Sequence, residues 1–349
     1  MTKKHVVVAM SGGVDSSVTA YLLREAGYNV SGAHLILSSS GKTSESNISE
    51  LEKTCGMLGI PLQTLDFRAQ FQEKVIASFC REYALGRTPN PCVVCNEQVK
   101  FGLLLRWARE WGADFLATGH YARLESGDNG YRLLRAMHRE KDQSYFLYRL
   151  GQDVLKNILL PLGNWSKPDV RKLAASLGLP VGDRRESEDL CFIHDDGYRS
   201  FIARHISSRP GDIVDTGGAV LGRHEGLEKY TVGQRQGLGL SSNRRLYVLE
   251  LDAAQNRLVV GAKEALMSLE ALVCGLCWVS GNPPEDLEKI TAKIRYRSPE
   301  TAVRLQITGD TALVMFDKPQ MAVTPGQSVV FYRGDVVLGG GIIAGKRER

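Results

Sequence analysis

The sequence predicts a doubly wound α/β domain followed by a β-rich remainder. Three observations carry this. Strand-like and helix-like segments alternate from Val6 through the Gly-His pair at 119–120. The continuous apolar run Val6–Met10 breaks into two glycines and then opens a helical pattern. From about Pro210 the chain turns to many glycines and short alternating runs. Strand, helix, strand, helix, strand is the signature of a parallel sheet with helices on its faces.

The elements follow in order. VVVAM reads as a strand buried on both faces. SVTAYLLREAG has helical spacing, with Gly27 at its stop. NVSGAHLIL is the next strand and SSSGKTSESN a polar loop. ISELEKTCGMLG is a helix and PLQTLDF a strand. VKFGLLLRWAREWG is an amphipathic helix, and ADFLATGHY is a strand that ends at the Gly-His pair. KPDVRKLAASLGLPVGD is a further helix, with Pro168 in its first turn and Gly178 at its stop. Beyond it, RLYVLELD, RLVVGA, AKIRYRS, TALVMFD and SVVFYRGDVVLGGGII read as strands of one or two small barrels or sheets. Boundaries are expected near 200 and near 270, giving units 1–200, 201–270 and 271–349. In such folds the ligand lies beyond the carboxyl ends of the strands, where SGGVDS and TGHY both point.

The composition is that of a soluble protein: 349 residues, 43% hydrophobic and 24% charged. No apolar run approaches the roughly 20 residues of a membrane-spanning helix, and MTKKHVVVAM is too short in its apolar part for a signal peptide. A cytoplasmic location is expected, with no membrane partner. The net charge of +5 permits a polyanionic partner without demanding one. Basic residues gather in SSNRRLY, AKIRYRSPE and the terminal GKRER. The seven cysteines are odd in number, which argues against a disulfide scaffold and leaves reactive thiols or metal ligands open.

Ser11-Gly12-Gly13-Val14-Asp15-Ser16-Ser17, between a strand and a helix, makes an anion site. Glycines let the backbone approach a ligand, and the unpaired N–H groups of the helix start favour phosphate. Ser11, Ser16 and Ser17 offer hydroxyl donors. Asp15 is awkward beside a phosphate unless it caps the helix or helps to hold Mg²⁺. The loop lacks the lysine of the Walker pattern.

Cys92-Val93-Val94-Cys95 is open to readings as half a zinc site, a redox pair or incidental thiols. Cys274 and Cys277 lie on a strand-like run and are expected to be packed there. Cys55 and Cys80 fall on apolar helical stripes. Cys191, in the charged and aperiodic RRESEDLCFIHD, suits a reachable thiol.

The loop resembles the PP-loop of the ATP pyrophosphatases, S-G-G-x-D-S. Together, AMSGGVDSS, GRTPNPCVVCN with VKFG, ATGHYAR, KDQSYFLY, SEDLCFI, TVGQRQGLG and TPGQSVVFY with DVVLGGGII resemble the tRNA-specific 2-thiouridylase family, in order from Val6 to about Ile343. The resemblance implies an N-terminal PP-loop domain of the adenine-nucleotide α-hydrolase type, a small central domain and a C-terminal β-barrel that binds tRNA. It also implies sulfur transfer to C2 of the wobble uridine. ATP with Mg²⁺ would adenylate the C2 oxygen, and sulfur would then replace it with release of AMP and pyrophosphate. The partners implied are tRNA and a persulfide-donating relay protein or cysteine desulfurase, with no DNA.

By position, Cys95 stands at the family's nucleophile and Cys191 at its persulfide carrier, with a Cys95–Cys191 disulfide as by-product. Both thiols call for thiolate character, for which Arg184 and Arg185 are candidate cations beside Cys191. Cys92 stands where well-known members carry Asp. It is read either as an acid/base group or, with Cys95 and Cys191, as a ligand of a [4Fe–4S] cluster that carries hydrosulfide. Ala9, Met10, Ser11, Gly12, Gly13, Val14, Asp15, Ser16, Leu35 and Gly119 match the family's ATP contacts. Asn90, Pro91 and Cys92 match the loop that meets the target base. His120, Lys141, Asp142, Gln143, Arg295, Tyr296 and Gln327 match tRNA contacts, and a flipped-out uridine is expected. Two other readings stand beside this one: a PP-loop synthetase that adenylates a different substrate, and a tRNA-binding sulfur carrier that does not adenylate.

Overall fold

The computed structural model describes residues 3–38, 45–180, 190–193, 197–241 and 244–345. Its N-terminal part is built on β1 (His5–Ala9), β2 (Asn29–Ile36), β3 (Leu62–Asp66) and β4 (Phe115–Ala117). A hairpin of β5 (Ala122–Gly127) and β6 (Gly130–Arg135) follows, and then the short β7 (Ile158–Leu159). The sheet runs β3-β2-β1-β4-β7, all parallel. β1 is central because Val6, Val7 and Val8 have no exposed area at all. Val7 faces one apolar core and Val6 and Val8 the other, as strand alternation requires. Chain order reverses on either side of β1, so the crevice between the ends of β1 and β4 is the expected ligand position.

Helix α1 (Val14–Glu25) follows β1 directly, and Gly27 stands just past its end. Helix α2 (Glu45–Leu58) begins three residues before the expected start at Ile48. The helix of Lys167–Ser176 is as expected, with the Ser166 side chain accepting from the Asp169 N–H.

The helix expected from Val99 differs. It starts at Pro91, runs as Pro91–Val94, widens to π-type turns over Cys95–Leu104, and closes as Leu105–Glu110. Two ties hold the wide part: Asn96 Nδ2 donates to the Phe146 carbonyl at 3.1 Å, and Arg149 Nε pairs with Glu97 at 2.8 Å. Wide turns of this kind are rare and gather at functional sites.

The central part is a four-stranded sheet, β10-β11-β8-β9, made of β8 (Gly211–Val214), β9 (Val220–His224), β10 (Tyr247–Asp252) and β11 (Arg257–Gly261). The last part uses β12 (Met267–Trp278), β13 (Thr291–Lys293), β14 (Thr301–Thr308), β15 (Thr311–Met321), β16 (Ser328–Arg333) and β17 (Val336–Gly345). They pair in the order β12-β15-β14-β13-β16-β17, and β12 also pairs with β17, which closes the barrel. Cys274 and Cys277 lie on β12 as expected, across a register shift.

The hairpin β5–β6 extends the barrel sheet through β17, with Val336 opposite Leu134. The pairing is reinforced by Arg123 to Asp335 at 2.6 Å. Gln152 accepts from Tyr131 N at 2.8 Å and donates to both Tyr131 O and Val279 O at 2.8 Å. The α/β part and the barrel therefore share a sheet. All seven cysteines are free, and no described helix is long and apolar enough to cross a membrane.

Candidate active site

The turn after β1 is shaped by Gly12, at φ +75°. Gly13 is the residue before α1, and no side chain caps the helix. The first-turn amides are thus left for a ligand, in the geometry that binds phosphate. The serines divide their roles. Ser16 and Ser17 donate their hydroxyl protons back to the Gly13 carbonyl, at 3.0 and 3.1 Å. Both are buried, and Ser17 has no exposed area. They brace the loop instead of offering free hydroxyl donors, whereas Ser11 is exposed.

Asp15 does not cap the helix. Lys167 Nζ contacts both its carboxylate oxygens, at 2.8 and 2.7 Å, and Tyr121 Oη donates to it at 2.7 Å. Lys167, at the start of the helix it opens, is 8% exposed. A cation does stand at the loop, then, but it comes from 150 residues downstream, where no local motif announces it. Gly119, just past β4, closes the other side. A Cβ there would lie 3.0 Å from the Asp15 Cβ and 3.1 Å from the Ser16 nitrogen, so any side chain would push the loop aside by a few tenths of an ångström. Leu35, on β2, is partly buried against the core behind the loop.

The helix that carries Cys92 and Cys95 reaches His120 through Phe101. The Phe101 ring is 5.7 Å from that of His120. Thr118 Oγ1 and His120 Nδ1 share a hydrogen bond of 2.7 Å. Burial, with Lys100 nearby, holds the His120 imidazole well below its ordinary pKa and hence neutral. Lys100 also acts on Cys92 and Cys95, so one half-buried cation spans the Gly-His pair and the thiols.

Cys95 is 6% exposed, and Phe192 packs in the same apolar cluster. Phe192 meets the Phe71 ring at 5.8 Å and the Phe79 ring at 5.4 Å, which anchors its neighbour Cys191 beside the cysteine helix. Cys191 itself is exposed, as a reachable thiol should be. The three thiols are close enough that Cys191 raises the pKa of Cys92 and Cys95.

The surroundings of Cys95 oppose the expected thiolate character. Burial pushes the Cys95 thiol up to about 12, and it outweighs the opposing pull of Lys100. Cys92 is raised for the same reason. Arg184 and Arg185 lie outside the described residues. Among the described residues no three His, Cys, Asp or Glu side chains are arranged to hold one metal ion.

Several residues expected at the RNA are engaged internally. Asp142 is buried, and its carboxylate accepts from Ala136 N at 2.9 Å, Ser144 N at 3.2 Å and Ser144 Oγ at 2.9 Å. Gln143 Oε1 accepts from Tyr121 N at 3.0 Å, and its own N–H donates to Tyr121 O at 2.8 Å. Lys141 precedes them, half-buried. Arg295 donates to the Ala322 carbonyl and to Thr324 Oγ1. Tyr296 packs its ring 4.6 Å from that of Phe146, under Lys293 Nζ at 5.8 Å. Gln327 Nε2 donates to Thr88 O at 2.8 Å and Pro89 O at 3.3 Å, beside Asn90, Pro91 and Cys92. Sequence reasoning missed Lys167, Lys100 and Tyr121. Only the last two had a signal, since they sit inside the VKFG and TGHY stretches.

Three family models match in order. They are described as the tRNA methyl transferase HUP domain over residues 4–195, the tRNA methyl transferase PRC-barrel domain over 199–262, and the aminomethyltransferase beta-barrel domain over 270–343. The chain is 47% identical to the tRNA-specific 2-thiouridylase MnmA 1 of Caldanaerobacter subterraneus subsp. tengcongensis, over 98% of each chain. It is 46% identical to the tRNA-specific 2-thiouridylase MnmA of Geobacter metallireducens, over 98% of this chain and 97% of that one. It is 44% identical to the enzyme of the same name from Halothermothrix orenii, over 97% and 98%. Identity at this level along nearly the full length of both chains, over an anion loop and a set of thiols that meet at one strand end, has one meaning: the chain belongs to the tRNA-specific 2-thiouridylase MnmA family.

Proposed function

We propose that the protein replaces the C2 oxygen of the wobble uridine in tRNA with sulfur, in an ATP-dependent reaction. One observation supports this most: the anion loop and the cysteine helix converge on Gly119–His120, with Gly119 packed on the loop and His120 against Phe101 and Lys100. A synthetase that adenylates another substrate has no use for the thiols, and a sulfur carrier has no use for the loop.

The C2 oxygen will not leave as oxide. Its attack on the α-phosphorus of ATP forms an O–P bond, breaks the bond to pyrophosphate, and turns the oxygen into part of AMP. The first-turn amides of α1 would hold the phosphates, with Mg²⁺ arriving on ATP. The terminal sulfur of a Cys191 persulfide then adds to C2, and AMP departs with the oxygen. The Cys95 thiolate attacks Cys191 Sγ, the S–S bond of the persulfide breaks, and the sulfur stays on C2. A Cys95–Cys191 disulfide remains, which a reductant opens with two electrons. Burial raises the Cys95 pKa, and Lys100 is the cation in place to favour its thiolate.

Ala9 to Ser16, Leu35 and Gly119 are proposed to hold ATP, and Asn90–Cys92 to meet the target base. His120, Lys141, Arg295, Tyr296 and Gln327 are proposed to meet tRNA. Cys92 takes the acid/base place. A relay protein or a desulfurase would load Cys191. Units 1–200, 201–270 and 271–349 are proposed as the three domains, and the shared hairpin sheet joins the first to the last.

The test is a tRNA transcript with ATP-Mg and a persulfide donor, scoring thiolated nucleoside and AMP together. The proposal expects both, in equal amounts. AMP without thiolation points to the synthetase, and thiolation without ATP points to the carrier. Iron content after anaerobic purification separates persulfide from cluster: an iron-free protein that thiolates tRNA is the expected result.

A further inference from the structure

The loop Gly86–Asn90, which leads into the cysteine helix, is held by parts of the chain that do not belong to the α/β sheet. On one side stands the barrel turn after β15. Thr88 N donates to Pro325 O at 2.8 Å, and Gln327 Nε2 returns to Thr88 O at 2.8 Å. A Cβ on Gly326 would lie 2.9 Å from Thr88 N. On the other side, a Cβ on Gly86 would lie 2.6 Å from the carbonyl oxygen of Leu251, on β10 of the central sheet. The turn is itself braced, since Arg295 donates to Thr324 Oγ1 at 3.1 Å and Thr324 Oγ1 donates to Ala322 O at 2.8 Å. Next along, Tyr145 Oη donates to Ser328 O at 2.8 Å.

We propose that the barrel turn Thr324–Ser328 is a positioning element for the thiols: it clamps the loop Gly86–Asn90 against the central sheet and so sets where Cys92 and Cys95 stand relative to the adenylation loop. This rests on the reading that those thiols carry the sulfur step. The geometry is specific. Both backbone groups of Thr88 are taken by the barrel, and both flanking approaches are too close for any side chain. Asn90, the last residue of the clamped loop, is the residue before the helix that begins at Pro91, so a shift of the loop moves the helix start with it. Arg295 and Gln327, expected at the RNA, hold this clamp.

The test uses two variants of the full chain. Gln327→Leu removes the two donations to the loop, and its effect is read without RNA as hydrogen exchange of the amides from Thr88 to Cys95. Exchange there should quicken about tenfold or more, with the barrel strands unchanged. Gly326→Ala, at a position with no proposed RNA contact, is read in single turnovers. Thiolated nucleoside should form about ten to a hundred times more slowly, while pyrophosphate release and tRNA affinity stay within about twofold. Unchanged exchange in folded Gln327→Leu overturns the proposal. So does a thiolation loss in Gly326→Ala that follows tRNA affinity alone. Should Gly326→Ala fail to fold, the exchange experiment decides. Retained thiolation in Cys95→Ala would instead defeat the thiol reading while leaving the clamp measurable by exchange.

Discussion

Replacing Lys167 with Met tests whether the anion loop depends on a cation outside its motif. The ammonium group contacts both Asp15 oxygens, and its side chain is 9% exposed against 31% for Asp15. Removing one partner of a fully buried pair costs about 3–5 kcal/mol. Three features reduce this here. Asp15 is a third exposed, the Tyr121 hydroxyl stays on it, and the α1 dipole favours a carboxylate in the first turn by about 0.5 kcal/mol. A net cost of about 2 kcal/mol remains. In a protein of this size that lowers the melting temperature by about 3 °C. The uncompensated carboxylate also stands at the phosphate position, and ATP binding should weaken about tenfold, which corresponds to about 1.4 kcal/mol. The assay is a double-mutant cycle of Lys167→Met and Asp15→Asn, read by thermal melting and by ATP titration. Coupling of about 1 kcal/mol or more is expected. Additive effects, or a Lys167→Met protein with unaltered melting and ATP affinity, refute the reasoning.

Three further outcomes are expected. Gly119→Ala places a methyl 3.0 Å from Asp15 and forces the loop to move, so AMP formation should fall about a hundredfold while tRNA affinity, measured by filter binding, holds. Gln152→Leu strips three hydrogen bonds between hairpin, barrel and the α/β part and should cost about 3 kcal/mol in a melt, leaving turnover at 25 °C nearly intact. His120 is held neutral in the folded chain, so the stability it confers is full above its ordinary pKa of 6.5 and is lost as pH falls from there toward the lowered folded value. NMR of the ring between pH 8 and pH 6 should show no titration of His120, and a midpoint near 6.5 would contradict the burial argument.

The sheet and the barrel were legible because their signals are local. Val6–Val8 form an unbroken apolar run, Gly12 takes a positive φ that glycine adopts most easily, and alternation past Pro210 marks strands. The anion loop and the thiols were legible through residue types that few other tasks require. What escaped reading is set by tertiary contact. The pattern of Cys95–Leu104 suits an ordinary helix, and its wide turns come from ties to Phe146 and Arg149 some 50 residues on. The hairpin of Ala122–Arg135 alternates like a strand pair, but nothing local tells that it joins β17. Lys167 looks like one more charge at a helix start until the fold brings it to Asp15. Asp142 and Gln327 are polar residues in loops, and nothing local announces the hydrogen bonds that tie them to Ala136 and Thr88.

The central claim is that one site adenylates the uridine and then passes sulfur to it. The most direct measurement is a single turnover of Cys191→Ser on tRNA with ATP-Mg and a persulfide donor, following pyrophosphate and thiolated nucleoside together. The account predicts pyrophosphate release close to that of the unaltered protein and no thiolated uridine. Thiolated uridine formed at the unaltered rate by Cys191→Ser would contradict it.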